Sequence, residues 1–328
     1  MAKQTGRRET FRRTIKEGGP LSLKTHPAKK REGEIMNIAR TSVITIAPTT
    51  PVYEAIQIMS KQGFRRLPIA DPGTKRLLGI ITATDIADYF GGGDKFQIIQ
   101  QKYSGNFYKA INEPVRTLMI KDVFSVLTTA TLEEAVKLMI QHDVGGLPVV
   151  DENGKIWAII TERDVINLFT GKISGVKVAE VMSKKVQVTS PSTTIFEATK
   201  AMTSQGFRRL PIVTDKELVG IVTVMDVLRY FGSKQVFQHL QAGTVTKVLQ
   251  TPIANIATKT VVTVEPQMDV GVAARLMREN KIGALPVVED SKVVGIITER
   301  DFFKIITFYP GLCRKFSFIG IHIFRTVK

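Results

Sequence analysis

The chain has 328 residues, 43% of them apolar and 23% charged, with one cysteine and a formal net charge of +16. That is enough chain for two domains with well-filled cores, and the composition is that of a globular protein. Its longest strongly apolar stretches are strand-sized, so no membrane partner is expected, and the lone Cys313 excludes a disulfide framework or a cysteine-based metal site.

Residues 1–33 hold ten Lys or Arg against three Glu and show no hydrophobic periodicity, so they read as a disordered basic arm. No apolar signal segment stands in it, which makes a cytoplasmic address the expectation. The arm is either a solubilising tail or a weak nucleic-acid contact. Residues 302–328 add five basic residues and no acid, so the charge excess sits mainly at the two ends.

From residue 34 the chain becomes periodic. Val52, Ala55, Ile56 and Met59 stand at helical spacing with one apolar face. "LPIADPGTKRLLGII" then reads as two short strands about a Pro-Gly turn, and Thr82 opens a second helix that runs to Phe90. A glycine-rich connector, 92–113, follows. The strand, helix, strand, strand, helix order then returns three times, with turns at "DENGK", "TDKE" and "EDSK". The Leu-Pro pairs are Leu67-Pro68, Leu147-Pro148, Leu210-Pro211 and Leu285-Pro286. Each is followed, 17, 16, 15 and 15 residues after its proline, by the aspartate of a Thr-x-x-Asp: Thr82 and Asp85, Thr161 and Asp164, Thr223 and Asp226, Thr298 and Asp301. Ala55, Ala135, Ala198 and Ala273 share one position in the first helix of each unit.

One unit of about 55 residues cannot bury both faces of its small sheet, so the units are expected to pair. The boundaries read as repeats 34–91 and 114–170 in a first module, 34–170, and repeats 176–232 and 251–306 in a second, 171–306. An atypical apolar and basic tail, 307–328, resembles no fifth repeat.

Four copies of this mixed α/β pattern resemble cystathionine-β-synthase (CBS) domains paired into two Bateman modules. A four-repeat chain without an enzyme domain is most similar to the γ subunit of AMP-activated protein kinase and its stand-alone archaeal relatives, whose modules can close into a flat disc. The resemblance implies clefts that bind adenosine-containing ligands: AMP, ADP or ATP, with Mg²⁺ as a companion of the polyphosphate. It implies that Asp85, Asp164, Asp226 and Asp301 hold ribose hydroxyls, with Thr82, Thr161, Thr223 and Thr298 on ribose or phosphate. It places Arg65 and Arg208, three residues before a Leu-Pro proline, on phosphate. Gly145 and Gly283 occupy that position in the second and fourth repeats, where Arg163 and Arg300 of "TERD" are the alternative phosphate ligands. Thr50 and Thr193, ahead of the first helix, and the four alanines are implied to line the cleft at the adenine.

Each motif also has a structural reading. Thr-x-x-Asp is a helix N-cap with an acid in the first turn, and Arg65-Arg66 and Arg208-Arg209 can pair with acids. The alanines and the methionines that follow them fit a core. No metal-ligand spacing of histidines, P-loop or nucleophile motif stands in the chain, so no catalysis is expected. The expected function is a regulatory adenine-nucleotide sensor acting on an unidentified partner protein, with a homodimer allowed. The alternatives are a nucleic-acid-associated regulator using the basic arm, and a sensor of another adenosine compound such as S-adenosylmethionine.

Overall fold

The computed structural model describes residues 22–23, 33–233, 236 and 248–308. A short strand, β1 (Ser22–Leu23), comes first and pairs antiparallel with β2 (Val43–Ile44). This corrects the reading of the whole arm as unstructured at those two residues. The first repeat continues through α1 (Val52–Gln62), β3 (Arg66–Ala70), β4 (Leu77–Thr82) and α2 (Ala83–Phe90). The connector forms α3 (Phe96–Tyr103) and α4 (Phe107–Ile111). The second repeat comprises β5 (Val126–Leu127), α5 (Leu132–Gln141), β6 (Gly146–Val150), β7 (Ile156–Thr161) and α6 (Glu162–Ile166). After α7 (Val178–Val181), the third holds α8 (Ile195–Ser204), β8 (Arg209–Thr214), β9 (Glu217–Thr223) and α9 (Val224–Phe231). The fourth holds α10 (Val270–Glu279), β10 (Ala284–Glu289), β11 (Lys292–Thr298) and α11 (Asp301–Phe308).

Each Leu-Pro strand has a neighbour on both sides, its return strand on one and, on the other, β5 or a single parallel bridge from Ile46, Thr189 or Val264, an unusual place for a residue with no N–H. The register explains it. Pro68 lies opposite Ile80, whose own N–H and C=O bond outward to Ile120 at 2.9 Å. A pair of this kind exchanges no bonds across the ladder, so proline forfeits none there. On its other side the Pro68 carbonyl accepts from Ile46 N–H at 3.1 Å. The same register holds at Pro148–Ile159, Pro211–Ile221 and Pro286–Ile296.

The segment ahead of each repeat crosses to its partner's hairpin at one equivalent position. Ile120 bridges Ile80, Arg40 bridges Ile159, Thr258 bridges Ile221 and Ser183 bridges Ile296. Repeats one and two, and three and four, are thereby laced in both directions. The modules then meet through their helices, with α9 against α1 and α2, and α8 against α2. Phe90 sits 5.2 Å from the Phe107 ring and 5.1 Å from that of Phe231, joining repeat one, the connector and repeat three in one core. Repeats two and four share a second core, with Phe169 and Phe302 rings 5.6 Å apart. The connector is thus a packed part of the first core, with Ile99, Phe107 and Ala110 fully buried.

The modules press together tightly at Gly91, at the end of α2. A Cβ there would lie 2.1 Å from Cγ2 of Thr199 on α8. Gly91→Ala should therefore destabilise the protein by about 1–3 kcal/mol through overpacking. A denaturant midpoint unchanged from wild type would refute the contact.

Candidate functional site

The four Thr-x-x-Asp motifs fold alike, because β4, β7, β9 and β11 each end on the threonine and a helix starts after it. Asp85 Oδ2 accepts from Thr82 N–H at 2.9 Å and from Thr82 Oγ1 at 2.6 Å. Asp164 and Thr161 repeat these bonds at 2.9 and 2.6 Å, Asp226 and Thr223 at 2.8 and 2.6 Å, and Asp301 and Thr298 at 2.8 and 2.9 Å. One carboxylate oxygen thus completes a capping box or its equivalent. The other, Oδ1, is left to the cleft. In each repeat it meets a cation: Lys95 on Asp85, Arg40 on Asp164 at 2.8 Å, Arg229 on Asp226 and Lys304 on Asp301 at 2.7 Å. The cap and a second role for the same carboxylate are compatible.

The arginines converge where the repeats meet. Glu299 accepts from Arg65 and, at 2.9 Å, from Arg163. Glu162 accepts from Arg208 and Arg300, both at 3.2 Å. Each glutamate is nearly sealed from water and takes at least one arginine from the opposite module. Arg66 donates to the carbonyl of Gly145, and Arg209 to that of Gly283 at 2.9 Å. A Cβ on Gly145 would lie 2.7 Å from Arg66 Nη2, and one on Gly283 2.9 Å from Glu299. The glycines that interrupt the Arg65 and Arg208 pattern are therefore its complement, leaving room for arginines and glutamates that arrive from elsewhere.

Six arginines face two glutamates, leaving four positive charges in surplus, and Asp143 offsets one of them at the rim through Arg300. Loss of water lowers the Arg66 guanidinium to about 9, with repulsion from Arg65 and Arg208 added. Arg209 falls to about 10, again by loss of water first and Arg65 next. Burial also pulls Arg65 down, but Glu299, through its charge and hydrogen bond, outweighs it and raises Arg65. Burial alone would raise Glu299; Arg65 and Arg163 outweigh it and hold the carboxyl at about 2. Such a cluster favours anions.

Two cavities open onto it. One of about 600 Å³ runs from Thr82 and Asp85 past Arg65 and Arg208 to Thr223 and Asp226. Another, of about 620 Å³, is lined by Thr298, Asp301, Arg300, Arg208 and Lys185. Arg163 lines the first. Asp164 and Thr161 line neither.

The expected adenine contacts are corrected. Ala55, Ala135, Ala198 and Ala273 are at most 1% exposed, inside the two helical cores. Thr50 and Thr193 also lie off both cavities; their carbonyls accept from Val115 and Ile253 N–H at 2.8 Å and so dock the partner repeat. The walls opposite the aspartates are instead residues 122–124, 185–187 and 260–262. Their signal was the valine recurring at Val43, Val123, Val186 and Val261, three residues before the residue that pairs with each Leu-Pro strand. Glu162 and Glu299 were visible in "TERD" without an assigned role, and Arg66 and Arg209, expected to pair with acids, donate instead to backbone carbonyls. Among the described residues no His, Cys, Asp or Glu group has the makings of a metal site, and no helix is long and apolar enough to cross a membrane.

The family model described as the CBS domain matches residues 33–92, 115–171, 178–233 and 253–307. The chain belongs to the CBS-domain family. It is 37% identical over 273 residues to the uncharacterized protein MJ1225 of Methanocaldococcus jannaschii, covering 82% of this chain and 98% of the relative. A 33.4 kDa protein encoded in a ribosomal RNA operon of Thermofilum pendens is 35% identical over 265 residues, covering 80% of this chain and 88% of the relative. The crystal structure of MJ1225, described as a candidate archaeal homolog of γ-AMPK, superposes with a TM-score of 0.79 at 35% identity, covering 83% of this chain and 99% of that one. With this CBS protein the four-repeat, two-module architecture is shared.

The acid-side behaviour of the cluster follows from Glu299. Its folded value lies below the ordinary 4.5, so its contribution is complete above that pH and is lost as pH falls toward about 2. Glu299→Gln should cost about 3 kcal/mol at pH 7, the scale of a broken buried pair. Measured by denaturant melts, the gap between variant and wild type should narrow as pH falls from 4.5 toward 2. A gap constant across that window would mean that ionisation of Glu299 contributes nothing.

Proposed function

We propose that this CBS protein is a non-enzymatic regulator that holds adenine nucleotides, AMP, ADP or ATP, in its Thr-x-x-Asp clefts and passes their occupancy to a partner protein. One observation carries the reading: clefts that begin at a capping aspartate end at one surplus of positive charge. A carboxylate is an acceptor-only group suited to the vicinal hydroxyls of ribose, and guanidinium is suited to phosphate. The ribose diol takes Oδ1 of Asp85, Asp226 or Asp301, while Oδ2 stays in the cap with the neighbouring threonine. The phosphate end points to Arg65 and Arg208 in the first cavity and to Arg300 beside Lys185 in the second. The positive charge left in surplus favours a phosphate-bearing ligand over the cationic sulfonium of S-adenosylmethionine. The description of the similar MJ1225 structure supports the same reading.

Occupancy changes how the modules are held. A phosphate competes with Glu299 for Arg65 and with Glu162 for Arg208, and both pairs run between modules. Binding therefore exchanges an internal tie for a ligand-bridged one, a differential interaction of the kind a population shift requires.

Calorimetric titration tests the assignment. AMP should bind wild type more tightly than adenosine or S-adenosylmethionine. Arg65→Ala combined with Arg208→Ala should shrink the preference for AMP over adenosine while leaving adenosine nearly unchanged. Asp226→Ala should weaken its cleft by about 1.5–3 kcal/mol, the scale of hydrogen bonds to a charged group. Equal affinity of wild type for AMP and adenosine would refute the phosphate role, and a lowered melting temperature with intact binding would reduce Asp226 to a helix cap.

A further inference from the structure

We propose that Arg40 closes the cleft of Asp164 from within, so that this chain admits adenine nucleotides at Asp85, Asp226 and Asp301 but not at Asp164. The proposal rests on the nucleotide reading above and adds which clefts are open.

Arg40, Ile120, Ser183 and Thr258 are structurally equivalent. Each bridges the residue two before the threonine of its partner's motif: Ile159, Ile80, Ile296 and Ile221. The other three show what that position faces. Ile120 lines the cavity of Asp85, Thr258 that of Asp226 and Ser183 that of Asp301. Where those walls carry a short or uncharged side chain, the wall opposite Asp164 carries a guanidinium. Its main chain is fixed in place, since Arg40 N–H donates to Ile159 O at 2.9 Å and Ile159 N–H to Arg40 O at 3.0 Å. From there Nε reaches Asp164 Oδ1 at 2.8 Å, across the space where a ribose would lie.

With Oδ2 committed to Thr161, both oxygens of Asp164 are then engaged. The carboxylate is 4% exposed. The cations on the other aspartates come from different directions. Arg229 and Lys304 stand three residues on, along the helix of the aspartate itself, whereas Arg40, about as exposed as they are, reaches Asp164 from the facing segment. Lys95 comes from the connector. The corresponding helical position after Asp164 is Asn167, which brings no charge. The cation that balances Asp164 is therefore supplied through the cleft rather than along the helix. The absence of Asp164 from both cavities agrees.

The test counts sites by equilibrium dialysis of the full chain against AMP. Arg40→Ser installs the residue this chain already carries at position 183, and Arg40→Thr, matching position 258, serves as a second variant should the first fold poorly. Either should bind one more equivalent of AMP than wild type. Adding Asp164→Asn to the open variant should return the count to the wild-type value, whereas Asp164→Asn alone should leave it unchanged. A count that is the same or lower in both Arg40 variants overturns the proposal, as does loss of a site on Asp164→Asn in wild type. AMP binding at no cleft of any of these proteins would instead bring down the nucleotide reading itself.

Discussion

The architecture turns on the burial of guanidinium groups where four repeats meet. Two carboxylates cannot neutralise six arginines, and withdrawing that many charges even partly from water is unfavourable unless each is bonded. The repeats divide into two kinds as a result. One and three bring the arginine pair and keep the helix start uncharged, at Ala83 and Val224. Two and four bring Glu162 or Glu299 and give up side chains at Gly145 and Gly283 to make room. Arginine from one kind and glutamate from the other form a reciprocal set, so neither kind of repeat could pack against four copies of itself. The residual charge is what makes the centre receptive to an anion.

A second economy lies in the aspartates. The cap bonds fix the carboxylate plane through one oxygen, leaving the other oriented without further support. A side chain held this way presents a rigid acceptor at the bottom of a cleft. The proline in the adjacent strand serves the same rigidity, since its fixed dihedral sits at a position where a missing N–H removes no bond to the return strand.

The fold was legible because its signals repeat. Leu-Pro, the turns and Thr-x-x-Asp each recur four times, and the helical spacing of Val52, Ala55, Ile56 and Met59 marks a buried face that the structure confirms. The pairing of repeats followed from size alone. What the sequence did not show is which charges meet across it. Arg65 and Glu299 are 234 residues apart, and nothing local distinguishes an arginine aimed at a ligand from one aimed at a glutamate. The alanines illustrate the opposite error: a small residue in an apolar helix face fits both a core and a ligand wall, and burial decided for the core. The cavity lining at residues 122–124 and their counterparts was hidden because these segments are short and irregular, with only the shared valine to mark them.

The sharing of the two glutamates makes the two modules reciprocal partners. Arg65 and Arg163 of the first module close on Glu299 of the second, and Arg208 of the second closes on Glu162 of the first. The molecule is a twofold assembly whose halves happen to be joined. A single module carrying Arg65, Arg163 and Glu162 holds every group needed to satisfy a second copy of itself, by the same reciprocal contacts an isologous dimer uses. Within one chain the two halves need not match, and Arg40 stands at a position where the corresponding residue of the second module is Ser183. A wall can thus differ between the halves while the reciprocal centre that holds them together is unchanged.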